Sequence, residues 1–154
     1  MTDHIKNKIF DAKTKIQTFQ ELTTYELYNV LKARAAVFVV EQKCQYQDMD
    51  DIDLRATHVT LTMDNEIVAY ARVFRDGQSD TWHIGRVLTI LRGQGYGIPL
   101  MRDAIRVAKE AGAKAVEIDA QSYAIGFYEK VGFQVCSDEY LIDDILHKRM
   151  KLLV

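Results

Sequence analysis

Arg92-Gly93-Gln94-Gly95-Tyr96-Gly97 separates two segments of different period. Before it, Thr81 to Thr89 is β-rich; after it, Met101, Ala104, Ile105 and Ala108 recur at the i, i+3, i+4, i+7 spacing of an amphipathic helix that ends near Gly112. Glycines at a strand-to-helix junction let the backbone approach a ligand and leave the first helical amides without intrahelical partners. Those amides, the positive end of the helix dipole and the charge of Arg92 make the junction a phosphate site by its chemistry. Pro99 fits a first helical turn, where the donor it lacks has no intrahelical partner to lose.

Upstream of the junction, Thr23-Thr24-Tyr25-Glu26 has the form of a capping box, and Leu27, Val30 and Leu31 share one stripe, which predicts a helix from Thr23 into the mid-30s. Val59, Leu61 and Met63 alternate with threonines before an Asp64-Asn65 turn, and Ile67 to Phe74 is a second β run ending at Asp76-Gly77. With Thr81 to Thr89 these form a three-strand meander. Downstream, Ala115 to Ala120 reads as a strand and Ala124 to Val131 as a short helix stopped by Gly132. Phe133 to Cys136 and Lys148 to Val154 read as closing strands. The order predicts one domain over residues 1–154, of mixed α/β or α+β class.

A 154-residue chain that is 48% hydrophobic can bury a continuous core. Lys plus Arg number 20 against 22 Asp plus Glu, so there is no basic field for nucleic acid or an anionic membrane, and a small-molecule partner is favoured. The apolar run Ala35 to Val40 is far short of a membrane span. The polar start, with Lys6 and Lys8 and no apolar stretch behind them, predicts a cytoplasmic protein. Cys44 and Cys136 lack metal-ligand spacing and read as reduced thiols, with no metal site implied; a redox role for either lacks a thiol-activating neighbourhood.

Other phosphate motifs fail on this turn. A Walker loop needs Lys and then Ser or Thr after its last glycine, where Ile98 and Pro99 stand, and neither way of counting gives G-x-G-x-x-G. A glycine turn without a ligand is the plain alternative. Arg92 to Gly97 resembles the pyrophosphate signature of the GNAT N-acetyltransferases, Arg/Gln-x-x-Gly-x-Gly/Ala. Ala124-Ile125-Gly126-Phe127-Tyr128-Glu129-Lys130-Val131-Gly132-Phe133 is similar to that family's second motif. Arg34 with Val37 to Gln42, then Tyr46, Asp48, Asp50, Asp53 and His58, resembles the ElaA-like branch, and the likeness covers nearly the whole chain after about residue 20. Two departures stand out: the segment from Arg86 to Arg92 is shorter than in that branch, and Gln121 replaces the asparagine that often precedes the tyrosine helix.

The resemblance implies a mostly antiparallel central sheet flanked by helices. It implies acetyl-coenzyme A (acetyl-CoA) as co-substrate, held by Val87, Leu88, Thr89, Arg92, Gly93, Gln94, Gly95, Tyr96, Gly97, Gln121 and Tyr128. Transfer of an acyl group from a thioester to an amine needs a neutral nucleophile, a donor to the developing oxyanion and a proton for the departing thiolate. By the same resemblance, amides near Leu88 serve the carbonyl and Tyr128, with an ordinary pKa of about 10, serves the sulfur. Glu41 is the candidate base, with His58 and His83 as alternatives, although Glu41 is equally read as a structural partner of Arg34. His147 also matches a family position. Asp48, Asp50, Asp51 and Asp53 fail the calcium-loop pattern and read either as a solvated loop or as an acidic lip for a cationic amine, with Arg34, Asp50 and Asp53 on the acceptor side. A coenzyme A-binding module without catalysis is the competing function, and a homodimer is left open.

Overall fold

A computed structural model describes residues 11–154; the polar start with Lys6 and Lys8 lies outside the described residues. In chain order the elements are β1 (Lys13–Thr18), α1 (Thr24–Arg34), a π-helical extension (Ala35–Glu41), β2 (Thr57–Met63), β3 (Glu66–Arg75), β4 (Thr81–Thr89), α2 (Gly97–Glu110), β5 (Ala115–Gln121), α3 (Ile125–Lys130), β6 (Gln134–Val135), β7 (Tyr140–Ile142) and β8 (Ile145–Leu153). Among the described residues the strands form one 8-stranded sheet in the order β1-β2-β3-β4-β5-β8-β6, with β7 also paired directly to β8. Pairing is antiparallel except between β4 and β5. This is the expected mixed, mostly antiparallel sheet flanked by helices.

Local chemistry accounts for the starts and turns. Glu26 N–H donates to Thr23 Oγ1 at 3.1 Å and Thr23 N–H to Glu26 Oε2 at 2.9 Å, closing the capping box of α1. The β2–β3 turn, Asp64-Asn65, has φ of 49° and 62°, the left-handed pair that Asp and Asn tolerate best and that matches strand twist. Asp143-Asp144, with φ of 47° and 61°, makes the same turn between β7 and β8. On one face of the sheet α2 buries Leu100, Met101, Ala104 and Ala108 against Val59, Val73, Ile84, Val116 and Ile118. On the other, α1 and its extension bury Val30, Ala33, Val37 and Phe38 against Tyr70 and Leu88.

The sequence leaves β1 and β7 unmarked. β1 contains one apolar residue, Ile16, and among the described residues it lies at the sheet edge and pairs with β2 alone. β8 starts at Ile145, three positions before the expected Lys148, because the Asp143-Asp144 turn folds β7 back onto it. The apolar run Ala35–Val40 continues α1 with π geometry.

Candidate active site

β4 and β5 are paired only from Thr81↔Ala115 to His83↔Glu117, yet β4 runs on to Thr89 and β5 to Gln121. Two parallel strands that separate after three pairs leave a wedge between them. One more irregularity lies in the same wall: Arg72 opposes Gly85 while Tyr70 opposes Leu88, so β4 carries an extra residue, and Arg86 there has φ of 52°. Such a bulge breaks the ladder locally and re-aims the adjacent backbone. Val87, Leu88 and Thr89 border the wedge, whose cavity is about 860 Å³.

The glycine turn closes one end of this cleft. Gly93 and Gly95 have φ of 71° and 82°, conformations that L side chains rarely adopt, so these two positions need glycine for the backbone path itself. Gly97 is needed for another reason: a Cβ there would stand 2.9 Å from Phe127 Cζ. Tyr96 is fully buried and its hydroxyl donates to Met63 Sδ at 2.7 Å, so its ring anchors the turn to the core. No side chain caps the start of α2, which leaves the dipole end facing the cavity beside Arg92. This set suits a pyrophosphate: backbone donors, a helix terminus and one exposed guanidinium.

At the other wall, Gln121 and Tyr128 line the cavity from the end of β5 and from α3. Tyr128 is 9% exposed, and its ring meets Phe127 and Phe133 edge-on at centroid distances of 5.0 and 6.2 Å. Burial, with a smaller contribution from Tyr123, pushes the phenol's pKa up, so it holds its proton at neutral pH.

A family model, that of the acetyltransferase (GNAT) domain, matches residues 18–154. The chain belongs to the GNAT acetyltransferase family. A UPF0039 protein of Schizosaccharomyces pombe is 42% identical over 139 residues, 87% of this chain and 92% of that one. The ElaA protein of Escherichia coli is 38% identical over 133 residues, 82% of this chain and 87% of its own. The crystal structure of ElaA superposes with a TM-score of 0.85 at 34% identity, covering 91% of this chain and 98% of that one. An acyl-CoA N-acyltransferase from Pseudomonas aeruginosa superposes with a TM-score of 0.83 at 34% identity, covering 90% and 98%. This GNAT protein is therefore an acetyl-CoA-dependent acyltransferase of the ElaA-like kind, and acetyl-CoA is its co-substrate.

Not every expected site residue reaches the GNAT cleft. Val87, Leu88, Thr89, Arg92, Gly93, Gly95, Tyr96, Gly97, Gln121, Tyr128 and Asp50 line it; Gln94, Glu41, Arg34 and Asp53 do not. Gln94 sits half-buried between two left-handed glycines that themselves line the cavity. Glu41, at the exposed end of the π-helix, forms an ion pair with Arg92, not with Arg34. Arg34 is 0% exposed and donates from Nη1 to Asp53 at 2.6 Å and from Nε to Asp48 at 3.0 Å.

The acidic run is therefore neither a solvated loop nor a free lip. Arg72 grips Asp50 with two hydrogen bonds of 2.6 and 2.7 Å and reaches Asp53 at 3.0 Å, while Arg86 donates to Asp48 at 2.9 Å and to Asp50 at 3.3 Å. Three guanidinium groups neutralise three carboxylates. Burial alone would raise the carboxyl pKa of Asp53, but the hydrogen bonds and charges of Arg34 and Arg72 outweigh it and hold it below the ordinary value. His58 is removed from the list of bases by the same cluster. Its Nε2 lies 2.9 Å from the Asp53 carbonyl and must donate, so Nδ1 accepts from the Tyr70 hydroxyl at 2.7 Å. Burial lowers its pKa and keeps it neutral. His83 does reach the cavity, stacked on Phe74 at 5.4 Å.

Some cleft residues belong to the ElaA-like stretch of the sequence, which assigns them no role. Gln42, one turn past Phe38, accepts from Gln121 Nε2 at 3.0 Å and so ties the end of the π-helix to the end of β5. Tyr46 lies under Arg86, whose guanidinium carbon is 4.6 Å from its ring centre. Burial first, against the opposing charge of Arg86, lifts the Tyr46 phenol to about 12. The one available signal was Arg72 between Ala71 and Val73, since an arginine inside an apolar strand requires a buried partner.

Proposed function

We propose that the protein is an N-acetyltransferase that moves the acetyl group of acetyl-CoA directly onto a primary amine of a small acceptor. The observation that carries the reading is the splay of β4 from β5, with a glycine turn and a buried, proton-bearing tyrosine both lining the cleft it opens. Arg92, Gly93, Gly95 and Gly97 hold the pyrophosphate. Backbone amides at the bulge, near Val87 and Leu88, polarise the thioester carbonyl. The Tyr128 hydroxyl gives its proton to the departing thiolate. Gln121, from the end of β5, borders the same wall. Glu117 and Asp119 also line the cleft, but they are paired with Lys151 and Arg149 just as Asp48, Asp50 and Asp53 are paired with arginines, so an amine acceptor is proposed and no further positive charge on it.

The experiment is release of free coenzyme A from acetyl-CoA across a panel of small primary amines, with Tyr128→Phe alongside the wild type. Phe keeps the ring and its packing and deletes only the hydroxyl, and with it the proton. The expected result is a fall in kcat of about a hundredfold, within the ~10² to 10⁴ of a general acid, with an unchanged acetyl-CoA-induced thermal shift. Full turnover in the variant would remove Tyr128 from the acid role, and an equal loss of melting temperature would make its hydroxyl structural.

A further inference from the structure

His147 lies on β8 directly opposite Gln121 of β5, lines the cleft, and is 94% shielded from solvent, being 6% exposed. Its Nδ1 is 2.7 Å from the carbonyl oxygen of Ile145. A carbonyl only accepts, so Nδ1 carries a hydrogen, and Nε2 is the nitrogen at which the ring can take up or release a proton. Among the described residues Nε2 has no hydrogen-bonding partner. The ring is held on its other side by Tyr140, stacked at 6.2 Å with 20° between planes, and the Tyr140 hydroxyl is bonded to Asp119. A buried imidazole fixed in one tautomer, with its free nitrogen at a cavity, is placed for proton transfer.

We propose that His147 is the catalytic residue that takes the proton from the incoming ammonium group, a role that rests on the amine-acceptor reading above. Nε2 binds one proton of R–NH3⁺ and releases the nitrogen lone pair. That pair forms the new N–C bond as the C–S bond breaks, and the thiolate takes the Tyr128 proton. The second proton leaving the nitrogen restores the phenol, and the one on Nε2 passes to solvent. The titratable and charged groups on the elements around it are Glu117 and Asp119 on β5, Tyr123 before α3, Tyr140 on β7, Lys148, Arg149 and Lys151 on β8, and Asp143 and Asp144 in the hairpin turn. Asp119 is engaged by Tyr140 and by Arg149 at 3.5 Å, and Glu117 by Lys151 at 3.6 Å, which leaves the free Nε2 as the acceptor facing the cavity beside Gln121.

The test is His147→Asn, whose amide nitrogen can still donate to Ile145, measured with whichever panel amine gives the fastest coenzyme A release. At neutral pH the expected result is a fall in kcat/KM of about a hundredfold, within the ~10² to 10⁴ of general base catalysis, with the acetyl-CoA thermal shift retained. The loss should shrink as pH rises, because an amine that deprotonates in solution no longer needs the base. A deficit equal at every pH, or none, overturns the role. So does nitrogen-15 NMR of the wild type showing the hydrogen on Nε2 at high pH. If the wild type releases no coenzyme A with any amine, the acceptor reading fails and the proton role falls with it. A normal wild type beside a normal variant refutes the proton role alone.

Discussion

Asp53→Ala is expected to act on stability, although in the sequence the carboxylate run reads as a solvated loop or as an acidic lip for the acceptor. Arg34 is 0% exposed and gives its Nη1 to Asp53 at 2.6 Å, and Arg72, also buried, shares the same oxygen at 3.0 Å. Arg72 keeps its two bonds to Asp50, and Arg34 keeps Asp48, but the cluster becomes one positive charge in excess where water does not reach. Removing one partner of a buried ion pair costs about 3–5 kcal/mol, because the remaining charge is uncompensated. A domain of this size loses about 2–4 °C per kcal/mol, so the melting temperature should fall by roughly 6–20 °C. The assay is thermal unfolding by circular dichroism, with Asp53→Ala compared to Asp51→Asn. Asp51 is the exposed neighbour with φ of 65°, a conformation that Asn also tolerates, so removing its charge alone should change the midpoint by no more than a degree or two. A fall of under about 3 °C for Asp53→Ala, or an unchanged midpoint with a raised KM for a cationic amine, would refute the structural account. Either would return Asp53 to the acceptor.

Two further outcomes follow from the same geometry. Asp50 and Asp53 are held below their ordinary pKa and His58 is held neutral below its own, so the unfolded chain binds more protons in acid, and stability is lost as pH falls. Melting midpoints should be level above about pH 7, decline below His58's unfolded value of about 6.5, and drop more steeply below about 4; a midpoint constant down to pH 4 would contradict the network. Gly97→Ala should push Phe127 aside, since the new Cβ would lie 2.9 Å from its Cζ and 3.0 Å from its Cε2, and with it disturb the edge-on contact to Tyr128. Turnover should drop and Phe127→Leu in the same chain should recover part of it, and a Gly97→Ala variant indistinguishable from wild type would show that the ring moves freely.

Much of the framework is decided by local chemistry. The Thr23–Glu26 capping box, the Asp64-Asn65 turn and the stripe of α2 each depend on contacts a few residues apart, and the structure has each of them where the sequence puts it. The glycines of Arg92 to Gly97 are legible for the same reason, since φ is a property of the residue and its neighbours. What tertiary structure alone decided is which charges meet. Arg34 and Asp53 are 19 residues apart, Arg86 and Asp48 38 apart, and Gln42 and Gln121 79 apart, so no periodicity relates them. The sequence places Glu41 beside Arg34 because helical spacing is the only geometry it can offer. In the fold, the helix continues as a π-helix to Glu41, whose exposed end reaches Arg92, and Arg34 is left facing the loop that carries Asp48 and Asp53. His147 shows the same division: its place on a closing strand was readable, but the hydrogen on its Nδ1 follows from one carbonyl two residues away, and its access to the cleft from the pairing of β8 with β5.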